Sequence, residues 1–354
     1  MKRVGFLTEK IADKDNLYLA YYKAKRGKQY KKEVIRFGDN IDYNINRLHD
    51  EILEGNVSVG KYRQFTITDP KKRNVYAAAF GERVLHHAIM NVCHEYFEKT
   101  MIYDTYATRL NKGVYKALDK AKLAARRYRY VAKLDFRKYF DSISHDILKD
   151  KIERIFKDKK LLDIFSQIID TYSVEEGKGI PIGNLTSQYF ANYYLSSLDH
   201  YVKEELNIPV YIRYMDDMLL FDNDIRRLKE CVNLVENYSR EKLHLTLKIP
   251  VIKQTEDTIP FLGYKIGKNV ILLNSRSRNR FFKKMFRYEK LLSNGIWSEK
   301  EYQLHILPLL AFVQYAYTKK MCRRVLSRIK VEEGLQPRAS WRQLEQQCEE
   351  LPCV

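Results

Sequence analysis

The chain has 354 residues, with 64 Lys plus Arg against 45 Asp plus Glu, a formal net charge of +19. Such a length supports two or three subdomains around a large core, and such an excess of cations points to a polyanion, nucleic acid before membrane. No apolar run is long enough to span a bilayer, and MKRVGFLTEK has no secretory core, so the sequence predicts a soluble cytoplasmic protein with no membrane partner.

In chain order, NLYLAYYKAKRGK (16–28) reads as a helix with a basic, Gly-containing stop, and residues 42–53 as a second helix. KYRQFTITDPKKRNVYAAAFGER (61–83) alternates around Asp69-Pro70, a β-hairpin that carries Lys71, Lys72 and Arg73. A helix follows to about Phe97. Residues 105–130 open as a loop and become an amphipathic helix that ends in Arg126, Arg127 and Arg129, interleaved with Tyr128 and Tyr130. YVAKLD (130–135) is a short strand ending in Asp135. Two helical patterns fill 146–172; Gly177, Gly179 and Pro181 mark a loop, and a helix begins near Asn184. Residues 225–243 form an amphipathic helix, 243–266 alternate like strands, and 276–330 are basic and helical. The tail 331–354 is polar. The 27 Tyr and 16 Phe can stack on bases as well as fill cores. The five cysteines, Cys93, Cys231, Cys322, Cys348 and Cys353, lack metal-ligand spacing and read as reduced thiols.

The chemistry centres on YIRYMDDMLLFD (211–222). Two apolar runs suit buried strands, and Asp216 and Asp217 fall at the tight turn between them. Two adjacent carboxylates in an apolar hairpin repel each other and lose hydration, so they call for a hard cation such as Mg²⁺. Asp135, from another strand, would complete a three-carboxylate set of the kind that holds two metal ions for phosphoryl transfer.

These residues resemble the reverse transcriptase family. YMDD (214–217) is similar to its catalytic turn, LDFRKYFDSI (134–143) to its first aspartate motif, and FLGY (261–264) to its primer-gripping hairpin. The resemblance implies an α+β right-hand polymerase fold: an N-terminal extension over 1–55, interleaved fingers and palm over 56–270, and a helical thumb with tail over 271–354. It implies two Mg²⁺ ions, with Mn²⁺ as a substitute, held by Asp135, Asp216, Asp217 and the Phe136 carbonyl. It places Lys72, Arg73, Phe140, Ile182, Gly183 and Gln188 around the incoming deoxynucleotide, with Phe140 as the ring beneath the sugar. Arg83, Arg109, Tyr214, Met215, Phe261, Leu262 and Gly263 would meet template or primer. Lys248 and Lys253 are both candidates for the general acid at pyrophosphate.

The segment IGNLTSQ (182–188) departs from the family's usual QGxxxSP, with Ile182 for Gln and Gln188 for Pro. That departure resembles the reverse transcriptases of diversity-generating retroelements, which copy a template RNA with errors opposite adenine. A template RNA, its RNA–DNA hybrid, dNTPs and a small helical accessory protein are the implied partners. The alternatives are a group II intron-like or defence-associated reverse transcriptase, and a catalytically silent RNA-binding protein with a polymerase-like fold.

Overall fold

The first helices form because apolar residues recur at helical spacing. Leu17, Ala20, Tyr21 and Ala24 line the buried face of Lys14–Lys25, whose N-terminus is capped by Asp13 accepting from the Asn16 amide. That helix ends before Gly27, which takes a left-handed φ of 68°, and the helix Ile41–Glu54 stops at Gly55 in the same way. Both pack with the long helix Phe80–Lys99. The computed structural model describes residues 2–68, 72–318 and 321.

Two compact units divide the chain: 1–117 with 132–252, and 118–131 with 253–354. The segment expected as a separate N-terminal extension therefore belongs to the same unit as the hairpin and the carboxylates. In this first unit β1 (Tyr62–Ile67) and β2 (Arg73–Ala78) pair antiparallel, Tyr62 opposite Ala78 and Ile67 opposite Arg73. Strands β3 (Tyr130–Leu134), β4 (Val210–Tyr214), β5 (Asp217–Asp222) and β6 (Val251–Gln254) form a sheet in the order β4-β5-β3-β6. β5 and β3 are the inner strands, and Met218 to Phe221 and Val131, Ala132 and Leu134 are buried without alternation, the pattern of strands covered on both faces. The predicted helices over 146–172, from 184 and over 225–243 appear as His145–Glu153, Lys159–Asp170, Leu185–Tyr194 and Ile225–Leu243.

In the second unit β7 (Ile259–Phe261), β8 (Tyr264–Ile266) and β9 (Ile271–Leu273) form an antiparallel sheet. The basic helix Ser275–Ser293 and the helix Glu299–Gln314 share a core of Phe281, Met285, Ile306, Leu310 and Val313. Ser298 and Glu301 make a reciprocal capping box at the start of the latter. The expected continuation of helix to residue 330 and the polar tail lie outside the described residues. Mixed helices and antiparallel strand pairs make the α+β class that the sequence implies.

Candidate active site

β4 and β5 meet at a turn tighter than the sequence suggests. Tyr214 pairs directly with Asp217, so the turn is only Met215 and Asp216, and Asp217 is the first residue of β5. Met215 adopts φ 53°, a left-handed conformation that is unusual for an unbranched non-glycine residue. The reason it is held lies one turn back. Arg213 is fully buried, and its guanidinium donates to the Met215 carbonyl at 3.1 Å. The same group donates to Asp199 Oδ1 at 2.6 Å, to Asn192 Oδ1 at 2.8 Å and to the Asn192 carbonyl at 3.1 Å. Tyr211, on the same face of β4, donates its hydroxyl to Asp199 Oδ1 at 2.8 Å. A buried ion pair of this kind is stable only when its remaining donors are satisfied, and here they are.

The three carboxylates converge. Asp216 has its carboxyl pushed up by burial first and then by the negative charge of Asp135. Asp217 is pushed up to about 6, chiefly by burial, with Asp135 and Asp216 adding repulsion and Lys133 opposing it. Lys133 Nζ lies 3.1 Å from Asp217 Oδ1, and Lys248 Nζ lies 2.5 Å from Asp135 Oδ2. Two ammonium groups thus stand against three carboxylates, an excess of one negative charge. Asp135 Oδ1 and Asp217 Oδ1 are buried and accept no hydrogen bond, Asp217 Oδ1 having only its ion pair with Lys133. Oxygens left in that condition, with raised carboxyl pKa values around them, fit a hard divalent cation. Among the described residues no three acidic, imidazole or thiol groups already surround a single point.

Around this centre the other predicted residues fall into three groups. Lys72 and Arg73 are exposed at the loop end of the β1–β2 hairpin, and Lys71 lies outside the described residues. Phe140 is half-exposed, and its neighbour Tyr139 takes the core position, stacked on the buried Phe136 ring at 5.7 Å. Ile182, Gly183 and Gln188 lie along one edge: the Tyr76 amide of β2 donates to the Ile182 carbonyl at 2.8 Å, and Gln188 is exposed. A Cβ on Gly183, at φ 121°, would meet Val75 Cγ1 at 2.6 Å, so only glycine lets β2 cross there.

Two arginines expected on template each have a carboxylate partner within the protein. Arg109 has a side chain only 8% exposed. It binds Glu98 through Nε at 2.9 Å and Nη2 at 2.7 Å, and the Thr105 hydroxyl through Nη1 at 2.6 Å. It knits a loop rather than facing a strand. Arg83 reaches Glu33 at 2.5 Å and lies over the Phe80 ring. Of the two lysines considered for acid chemistry, Lys248 sits on Asp135, whereas Lys253, on β6, donates to the Thr258 carbonyl at 2.6 Å. That distinction favours Lys248.

In the second unit, Phe261 pairs with Tyr264, leaving Leu262 and Gly263 as a two-residue turn with φ 48° and 90°. Both positive angles give the tight hairpin geometry that matches strand twist. Phe261 is buried, so any grip on a primer falls to the turn itself.

Reading the sequence missed Lys133, Arg213, Asn192 and Asp199. Arg213 carried a signal: a charged residue alternating with Tyr211 inside an apolar strand needs a buried partner. Nothing local marks Asp199 as that partner, because it lies 14 residues away on a different element.

The chain belongs to the reverse transcriptase family: the description "Reverse transcriptase (RNA-dependent DNA polymerase)" matches residues 60–266, more than half its length. It is 24% identical over 207 residues to the putative COX1/OXI3 intron 1 protein of Saccharomyces cerevisiae, covering 55% of this chain and 25% of that one. It is 22% identical over 280 residues to protein YkfC of Escherichia coli, covering 65% and 71% respectively. It superposes on apo telomerase from Candida tropicalis with a TM-score of 0.48 at 12% identity, covering 82% of this chain and 64% of that one. The chain spans about a quarter and two fifths of the two yeast intron proteins it matches.

Proposed function

We propose that this protein is an RNA-directed DNA polymerase that extends a primer on a template RNA. The observation that carries the proposal is the mutual repulsion of Asp216 and Asp217, at the head of one buried hairpin, and Asp135, at the end of β3, with a buried oxygen on Asp135 and on Asp217 that accepts no hydrogen bond. These carboxylates, with the Phe136 carbonyl, would hold two Mg²⁺ ions or Mn²⁺ in their place. Metal held by these groups would supply activation of the primer 3′-hydroxyl and neutralisation of the triphosphate. The chain's own residues do the rest. Arg213 fixes the turn so that Asp216 needs no reorganisation. Lys72 and Arg73 bring charge to the triphosphate, guanidinium in bidentate fashion. Phe140, half-exposed, excludes a 2′-hydroxyl. Lys248 is placed to give a proton to departing pyrophosphate.

The finer reading is an error-prone enzyme of a diversity-generating retroelement, working with a template RNA and a small helical accessory protein. Ile182 supports it: the side chain has no polar group where glutamine would orient the nucleotide, and its carbonyl is taken by Tyr76. Similarity to intron-encoded proteins favours the rival intron-like reading of the same activity.

The test is RNA-templated primer extension followed by sequencing of the product. DNA synthesis dependent on Mg²⁺ and dNTPs is expected, with errors concentrated opposite template adenine, and Ile182→Gln should lower those errors. RNA binding without any extension would contradict the enzymatic reading. Equal adenine errors in the two active proteins would contradict the role of Ile182.

A further inference from the structure

Residues 22–36, YKAKRGKQYKKEVIR, hold seven cations and one carboxylate and precede the segment matched to the family. They run from the end of one helix through two successive turns, the Lys28 amide on the Lys25 carbonyl and the Lys31 amide on the Lys28 carbonyl, into the helix Lys32–Asp39. Arg26, Lys32 and Arg36 are exposed. Tyr22 and Tyr30 are 57% and 75% exposed, large aromatic surfaces open to solvent.

The charge does not disperse into solvent. Arg83, from the helix Phe80–Lys99, comes up beneath this segment and takes its one carboxylate, Glu33, at 2.5 Å. Lys28 has its ammonium pushed below the usual range by burial and then by Arg83 and Lys31. His87, on the same helix as Arg83, is pushed down to about 4 by burial and by Lys23, Lys28 and Arg83. The groups facing one another are therefore Lys23, Lys28, Lys31, Arg83 and His87, with Glu33 as the counter-charge. Lys25 Nζ lies over the Tyr21 and Tyr22 rings at 4.4 Å from each, so the aromatic and cationic surfaces are continuous.

We infer that residues 22–36, backed by Arg83, form a binding surface for single-stranded RNA, separate from the carboxylate centre. Phosphates would lie on Arg26, Lys28, Lys31 and Lys32, and bases would stack on Tyr22 and Tyr30. A duplex offers phosphates but no free base faces, so the exposed tyrosines select the single strand. The inference rests on the polymerase reading only in naming the ligand as an unpaired part of the RNA being copied.

The test uses the full chain with Arg26, Tyr30 and Lys32 replaced together by Ala, all three being exposed and away from the carboxylates. Binding is measured to a single-stranded RNA oligomer and to a blunt RNA–DNA hybrid. Affinity for the single strand should fall roughly tenfold or more, and its log–log salt slope should flatten by about 1.4, from two lost cations at about 0.7 each. Affinity for the hybrid should stay as in the wild type. A second variant, Tyr30→Phe, should keep single-strand affinity, because stacking needs the ring and not the hydroxyl. Unchanged single-strand affinity in the triple variant would overturn the inference, as would equal losses on single strand and hybrid. Wild-type primer extension, run alongside, judges the enzymatic reading independently of this surface.

Discussion

Two antiparallel hairpins of the first unit have strands of nearly the same length and opposite character. β4–β5 is buried along almost its whole length, closes in a two-residue turn and is braced from inside by Arg213. β1–β2 leaves most of β1 exposed, with Phe65 39% and Ile67 41% accessible, and carries Lys72 and Arg73 exposed at its far end. Its fixed points are at the base: the Tyr62 hydroxyl and Thr171 hydroxyl at 2.6 Å, and the Tyr76 amide on Ile182. One hairpin is built to hold carboxylates in a single place. The other is built to reach into solvent from an anchored base. Rigidity is placed where charges repel, and reach is placed where exposed cations stand.

Substitutions can break that contrast on the braced side. Arg213→Met leaves Asp199 buried without its cation and frees the Met215 carbonyl. The loss expected is about 3–5 kcal/mol of stability, read as a lower midpoint in denaturant, together with at least about a hundredfold slower extension. Arg213→Lys should restore part of the stability and less of the rate, because one ammonium cannot serve Asp199, Asn192 and Met215 together.

The pH dependence sharpens the same point. Asp217 is pushed up to about 6 from 3.8, so its neutral form suits the metal-free fold. Its contribution is fully present below about pH 4 and is lost as pH rises through about 6, by up to about 3 kcal/mol. Asp217→Asn should remove that fall in stability between pH 4 and 6 in protein kept free of divalent metal. A profile identical to wild type would mean that Asp217 does not carry the strain.

On the exposed side the effects should appear in binding and leave the fold intact. Arg73→Ala should raise KM for dNTP roughly tenfold, the loss of one charge-assisted contact, without changing the melting temperature. Phe140→Ala should improve use of ribonucleotides relative to deoxynucleotides, by up to about tenfold. Steady-state kinetics with each nucleotide checks both, and an Arg73→Ala protein that melts early would move that residue into the packing.

Legibility in the sequence followed the same division. The apolar runs about Asp216 and Asp217 announced buried strands, and amphipathic periodicity announced the helix over 225–243, because burial writes itself into local spacing. The turn was misplaced by one residue, since strand register depends on cross-strand pairing that spacing does not encode. Arg109 and Arg83 were expected on template from the family resemblance, and nothing in the local sequence shows that Glu98 and Glu33 lie beside them. Lys133 was passed over as one more basic residue of a strand. Its place beside Asp217 arises only when β3 and β5 become neighbours in the sheet.

The central claim is that Asp135, Asp216 and Asp217 act as one metal-holding group positioned by a rigid hairpin. The most direct measurement is Mg²⁺-dependent primer extension on an RNA template by the wild type, Asp216→Asn and Asp217→Asn, with melting temperature and hybrid affinity measured on the same preparations. Extension should fall by roughly a thousandfold or more in both variants, a loss of about 4 kcal/mol in transition-state stabilisation. Melting temperature should hold or rise, and hybrid affinity should be unchanged. Extension near the wild-type rate by either variant would contradict the account.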